Sequence, residues 1–164
     1  MDEQLQVRSA MSRKRFLGIY SYLLDSKGRI TLPPAYRELL GESFVLTVDL
    51  DDTAIALYSS DRFETFIAEI ESLDPHQEEA YRMRKRVAMY SYEGISLDAQ
   101  QKLLIPTALR ELFLGVEREL VVYGALDHAC IAPRSVVERE TAEYHNDLPN
   151  IRRTVAEMRR ERTL

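Results

Sequence analysis

Cysteine occurs once in the 164 residues, at Cys130, and histidine three times, at His76, His128 and His145. A lone cysteine excludes an internal disulfide framework, and histidines so scattered do not join it at a recognisable zinc-binding spacing. No apolar run approaches the roughly 20 residues of a membrane helix. The first fifteen residues, with Asp2, Glu3 and Arg13-Lys14-Arg15, lack the apolar stretch of a signal peptide. Only 6 Gly and 6 Pro interrupt a chain that is 45% hydrophobic and 30% charged, so it is not of low complexity and has the means to bury a core. Catalytic signatures are missing too: there is no Gly-x-Ser-x-Gly, no P-loop, and no Cys or Ser with an evident His partner. The expectation is a soluble, cytoplasmic, non-enzymatic protein of one domain or two small fused ones, with no cofactor, no metal, no membrane association and no small-molecule substrate.

The net charge of -5 argues at first against a polyanionic partner, but the charge is segregated. Residues 1–40 carry +3, residues 41–81 carry -10, residues 82–119 carry +2 and residues 120–164 are neutral. A local basic patch suffices to attract phosphates on a protein that is acidic as a whole.

What the sequence does contain is an internal repeat. Residues 24–40 align without gaps on residues 97–113, an offset of 73, with identities at Asp25/Asp98, Pro33/Pro106, Ala35/Ala108, Arg37/Arg110, Glu38/Glu111 and Leu39/Leu112. Three inserted residues later the match resumes, Phe44 to Ala56 against Leu120 to Ala132. One supersecondary unit is present twice.

Each copy has the same local logic. A strand-like stretch (16–24; 92–97) meets a tight turn (25–28; 98–101), where Asx chemistry and Gly28 permit reversal, and a short strand follows (30–32; 103–105). Proline then ends the strand; Pro34 opens a short helix through Leu40, and Gly41 is placed to end it in the left-handed conformation. A hairpin follows, 44–48 with 54–58, matched in the second copy by 120–132. Between the copies, Phe63, Phe66, Ile67 and Ile70 predict an amphipathic helix over 61–73, and Asp74-Pro75 a second over about 75–90. Weaker helices are predicted over 135–146 and 150–162, the latter capped by Asn150. The domain reading is a mobile N-terminal arm (1–15), a first repeat with its linking helices (16–90), a second repeat (91–149) and a C-terminal helix or tail (150–164).

Lys27 and Arg29 stand two apart on a strand edge beside a turn, so both heads leave one face and reach adjacent phosphates or a base edge. Equally, Arg29 pairs with Asp25 across the turn, a surface bridge worth about 0–1 kcal/mol. Arg37 and Arg110 recur at one place on the short helices and suit a bond to a turn or strand carbonyl, with a secondary phosphate role for Arg37. Asp49, Asp51 and Asp52 fail as a calcium loop because the sixth position is Ala54 and the twelfth Ser60. Asp127, His128 and Cys130 have metal-ligand chemistry, but they align with Asp51, Asp52 and Ala54, which form no comparable set, so a hairpin tip is expected there. Arg82, Arg84, Lys85 and Arg86 are either a second nucleic-acid patch or a solvated, salt-bridging face, and the arginine-rich tail (152–162) has the same two readings.

The stretch Tyr20-Ser21-Tyr22-Leu23-Leu24-Asp25-Ser26-Lys27-Gly28-Arg29-Ile30-Thr31-Leu32-Pro33, followed by Arg37 and doubled as above, resembles the MraZ family of bacterial proteins. The resemblance covers about residues 16–145. It implies an α+β fold of two fused swapped-hairpin units of the AbrB and SpoVT kind in pseudo-two-fold arrangement, with linking and C-terminal helices. It also implies a transcriptional regulator that assembles into a ring and binds double-stranded DNA at short direct repeats, in the promoter of the division and cell-wall gene cluster, placing it at the nucleoid. The family's Asp-x-x-x-Arg motif falls on Asp25…Arg29, with Lys27 between, and on Asp98…Lys102. The second departs from the pattern: Gln101 stands at the flexible position, and Lys102 lacks the bidentate fork that reads guanine. The implied DNA contacts are therefore Lys27 and Arg29, then more weakly Lys102 and Arg37, with Asp25, Gly28, Asp98 and Arg110 shaping the turns. The rival reading is a ring-forming scaffold that binds proteins through acidic residues 41–81.

Overall fold

The computed structural model describes residues 15–163. The chain divides after Pro133 into two units. The first is α+β, and every strand pairing in it is antiparallel. A six-stranded sheet runs β1-β7-β8-β4-β3-β5, with β1 Ile19–Leu23, β3 Phe44–Val48, β4 Ile55–Ser59, β5 Tyr92–Ile95, β7 Glu119–Gly124 and β8 Ala129–Pro133. The separate ribbon pairs β2 (Arg29–Thr31) with β6 (Lys102–Leu104). Helices α1 (Pro34–Leu40), α2 (Ser60–Glu71) and α3 (Glu78–Tyr90) follow the first-copy strands.

The central strands are apolar without alternation because both faces of the sheet are covered. Leu46, Ile55, Leu57, Val122 and Ile131 face one core, which Ile30 and Leu103 of the ribbon, Leu32 and Ile105 just beyond its strands, and Tyr36 of α1 complete. Val45, Val48, Ala56 and Tyr58 face a second core closed by Phe63, Phe66 and Ile70 of α2 and Val87 of α3.

Pairings cross between the copies. The first copy's β1 lies on the second copy's β7, and the second copy's β5 lies on the first copy's β3. In the ribbon Ile30 pairs with Leu103, and in the sheet Ile55 pairs with Ile131; each is its own counterpart in the repeat alignment.

Several local expectations change. Gly41 ends α1 at φ +80 and ψ -170, a positive-φ conformation but not the left-handed helical one, with its N–H on the Arg37 carbonyl. The second linking helix starts at Glu78 rather than Pro75, because the Asp74 side chain accepts the His76 N–H and holds an Asx turn there. In the second copy the short helix α4 (Thr107–Leu109) widens into a π turn over Arg110–Leu114, and Gly115 donates back to the Arg110 carbonyl. The three inserted residues follow this wider turn. The two weak C-terminal helices are one, α5, from Arg134 to Arg162 with Pro149 inside. Asn150 does not cap a helix: its side chain donates to Asp147 and accepts from Arg153 within the continuous helix, one turn away on each side. Long runs of good helix formers flank Pro149 and outweigh its missing donor. The arm proposed for residues 1–15 lies outside the described residues apart from Arg15.

Candidate nucleic-acid interface

The two aspartate turns have one design. Asp25 Oδ1 accepts the N–H groups of Lys27 and Arg29, each at 2.9 Å, and the Asp25 N–H donates to the Arg29 carbonyl. Asp98 Oδ1 likewise accepts from Gln100 and Lys102 at 2.9 Å, and its own N–H donates to the Lys102 carbonyl. The first residue must be a short side-chain acceptor, and Asp or Asn bonds the following backbone N–H groups more strongly than Ser or Thr. The fourth must take positive φ: Gly28 does so at +80, and Gln101 adopts +62 despite its side chain.

The β2–β6 ladder sets these turns side by side, with Arg29 opposite Leu104 and Thr31 opposite Lys102. Arg29 then spans both. Its Nε donates to Asp25 Oδ2 at 2.9 Å, and its Nη1 donates to Asp98 Oδ2 at 2.9 Å and to Gln100 Oε1 at 3.2 Å. The counterpart, Lys102, stands 3.7 Å from Asp25 Oδ2. A lysine has a single ammonium and makes the weaker reciprocal contact. The backbone N–H of Arg29 foremost, then its guanidinium and the N–H of Lys27, hold the Asp25 carboxyl at about 2, well under its ordinary 3.8. Asp98 is lowered through the Lys102 N–H and the Arg29 guanidinium, and the two carboxylates raise Arg29 itself.

The bridge across the turn is thus present and extends to the neighbouring turn. Lys27 is exposed at its tip, where the second turn carries the neutral Gln100. Arg37 and Arg110 each reach the turn of the other copy. Arg37 Nη1 lies 3.5 Å from Gln101 Oε1, and the Arg110 guanidinium lies against Gly28, where a Cβ would come within 2.1 Å of Nη1. Arg110 Nη2 donates to Thr107 Oγ1, while the Nε groups of Arg37 and Arg110 are both buried without a hydrogen-bond partner. Lys27, Arg29, Arg37, Lys102 and Arg110 therefore gather around Asp25 and Asp98. The repeat alignment shows that the aspartate turn occurs twice, but not that the two turns lie side by side, nor that Gln100 and Arg110 reach the first turn; the recurrence of Arg at one helical place is the available signal.

Two of the four basic residues of α3, Arg84 and Arg86, engage other parts of the fold, while Arg82 and Lys85 are exposed. Arg84 donates to the Ile70 and Glu71 carbonyls at the end of α2, supplying partners that a helix terminus lacks. Arg86 bonds Asp52 and lies 5.5 Å from the Tyr90 ring centre, and Arg82 pairs with Glu78 within the helix.

Residues 15–86 match the family model described as MraZ protein, putative antitoxin-like. The chain is 35% identical over 111 residues to a protein named transcriptional regulator MraZ from Lachnoclostridium phytofermentans, covering 68% of this chain and 76% of the relative. The protein of the same name from Lactiplantibacillus plantarum is 33% identical over 136 residues, covering 81% of this chain and 94% of the relative. That from Thermoanaerobacter is 31% identical over 131 residues, covering 80% and 87%. Among the described residues, no helix is long and apolar enough to cross a membrane.

Proposed function

This chain belongs to the MraZ family, and from that premise we propose that it is a sequence-specific DNA-binding transcriptional regulator. The observation that carries the reading is the Arg29 bridge, which fastens two aspartate turns into one ribbon with a basic surround. A two-stranded ribbon has the width of the DNA major groove. Lys27, exposed at the tip, serves a phosphate. Arg29, with Nε and Nη1 on carboxylates, offers Nη2 to a base edge, and Lys102 and Arg37 add weaker backbone contacts. Gly28, Asp25, Asp98 and Arg110 hold the turns in shape.

The finer reading is two fused swapped-hairpin units, residues 16–90 and 91–149, related by a pseudo-two-fold axis. The exchange of β1 and β5 between the copies supports it. A ring that binds short direct repeats in the promoter of the division and cell-wall cluster, at the nucleoid, extends that reading. The edge strand β1 supports assembly, because Ile19 and Leu23 on it are 65% and 70% exposed. Each turn alone binds weakly, and a ring supplies affinity by presenting successive turns at high effective concentration. Binding measured on DNA with one, two, three and four repeats tests this: affinity should climb with repeat number, and a flat series removes the linked-turn mechanism. A protein that forms rings but shifts no DNA even at low salt is instead the scaffold of the rival reading.

A further inference from the structure

The tips of the two hairpins bring together three side chains of metal-ligand chemistry. Asp49 follows β3, His128 precedes β8 and Cys130 lies within β8, and their ligand atoms all lie within 4.8 Å of one another. The set is sheltered: Cys130 is 1% exposed, and the side chains of His128 and Asp49 are 13% and 14% exposed. Sequence spacing groups His128 and Cys130 with Asp127; the fold replaces Asp127 with Asp49 from the other copy and gives Asp127 a different place. Asp127 Oδ1 lies 2.6 Å from His128 Nδ1, while Nε2 points to Asp49 Oδ1 at 3.1 Å. The Tyr58 ring stacks on the imidazole at 4.6 Å between centres, with planes 14° apart, and fixes its orientation.

A carboxylate at one ring nitrogen orients a ligating histidine, and here Asp127 sits at Nδ1 while Nε2 faces Asp49. We propose that Asp49, His128 and Cys130 form a site for a divalent transition metal of the Zn2+ class, with solvent or an incoming ligand in the fourth position. The donor set is a hard oxygen, an imidazole nitrogen and a thiolate sulfur, which suits Zn2+ and excludes Mg2+ and Ca2+. On binding, the Cys130 thiol proton and any proton on Nε2 pass to solvent, and metal–sulfur, metal–nitrogen and metal–oxygen bonds replace the Asp49–His128 contact. The first copy has Asp52 and Ala54 where the second has His128 and Cys130, so the repeat provides one site and not two. The site pins the tip of the first hairpin to the second hairpin.

The test is a Co2+ titration of the chelator-treated full chain, followed by addition of Zn2+. The expected result is saturation at one equivalent, with a thiolate-to-cobalt charge-transfer band and visible bands of tetrahedral strength, both abolished by Zn2+. Cys130→Ala, which installs the residue of the first copy, should lose the charge-transfer band, and His128→Gln should lose saturable uptake. Asp127→Asn should weaken binding by about 10–100-fold. Absence of saturable uptake by the folded wild type, or a charge-transfer band that survives in Cys130→Ala, overturns the site. If Cys130→Ala does not fold, thermal melting decides: Zn2+ should raise the melting temperature of the wild type but not of His128→Gln, and an unmoved wild type overturns the proposal.

Discussion

Arg29 Nη1 donates to Asp98 Oδ2 at 2.9 Å, while Nε of the same guanidinium holds Asp25 at the same distance. One side chain thus closes its own turn and ties it to the turn of the other copy. Arg29→Ala and Asp98→Ala should therefore be non-additive in thermal melting, the double variant losing less than the sum of the singles. Arg29→Lys should not restore the wild-type melting temperature, because an ammonium cannot span both carboxylates with fixed geometry. Arg29→Ala should also lower DNA affinity roughly tenfold or more. Additive losses would separate the two turns energetically.

Gly28 and Gln101 hold equivalent positive-φ positions, at +80 and +62. Gly28→Ala should cost about 1–2 kcal/mol from the backbone alone, and must also displace the Arg110 guanidinium. Gln101→Gly should relieve the same strain in the other turn and raise stability by up to about 1 kcal/mol, offset in part by a freer unfolded chain. Denaturant midpoints measure both, and a neutral Gly28→Ala would remove the argument.

Acid should loosen the paired turns. The folded pKa of Asp25 is about 2 against 3.8, and that of Asp98 is also lowered. Between those values the unfolded chain binds more protons, so the carboxylates' contribution is present above 3.8 and is lost as pH falls toward 2. Denaturant midpoints across that window should fall in the wild type and less steeply in Asp25→Asn.

Pro149 interrupts the hydrogen bonding of α5. Pro149→Ala should favour the helix by up to about 3 kcal/mol and raise the temperature at which its circular dichroism is lost, leaving the low-temperature spectrum unchanged. A large gain in helical signal at low temperature would mean that residues 134–162 of the wild type do not form one helix through this point.

Much of this architecture was legible because it is local. The aspartate turns, the helix after Pro34 and the hairpin at 44–58 each follow from a few adjacent residues, and the repeat doubled that information. Partner choice is not local. Nothing near Arg29 says that its guanidinium will find Asp98 and Gln100, or that β1 will lie on β7 rather than on a strand of its own copy; these follow from long-range pairing. The same reason hid Asp49 beside His128, since the repeat alignment does not make them equivalent. At Pro149 a local rule misled, because the flanking helical segments outweigh one missing donor.

DNA binding by the basic turns, through Lys27 and its neighbours, is read directly by fluorescence anisotropy of a fragment from upstream of the chain's own gene, over a series of salt concentrations, for the wild type and Lys27→Ala, with assembly state checked for each. Wild-type binding should weaken steeply with salt, and the Lys27→Ala log–log slope should be shallower by about 0.9 for each repeat engaged. No binding at low salt, or an unchanged slope in an assembled Lys27→Ala protein, would contradict binding by these turns.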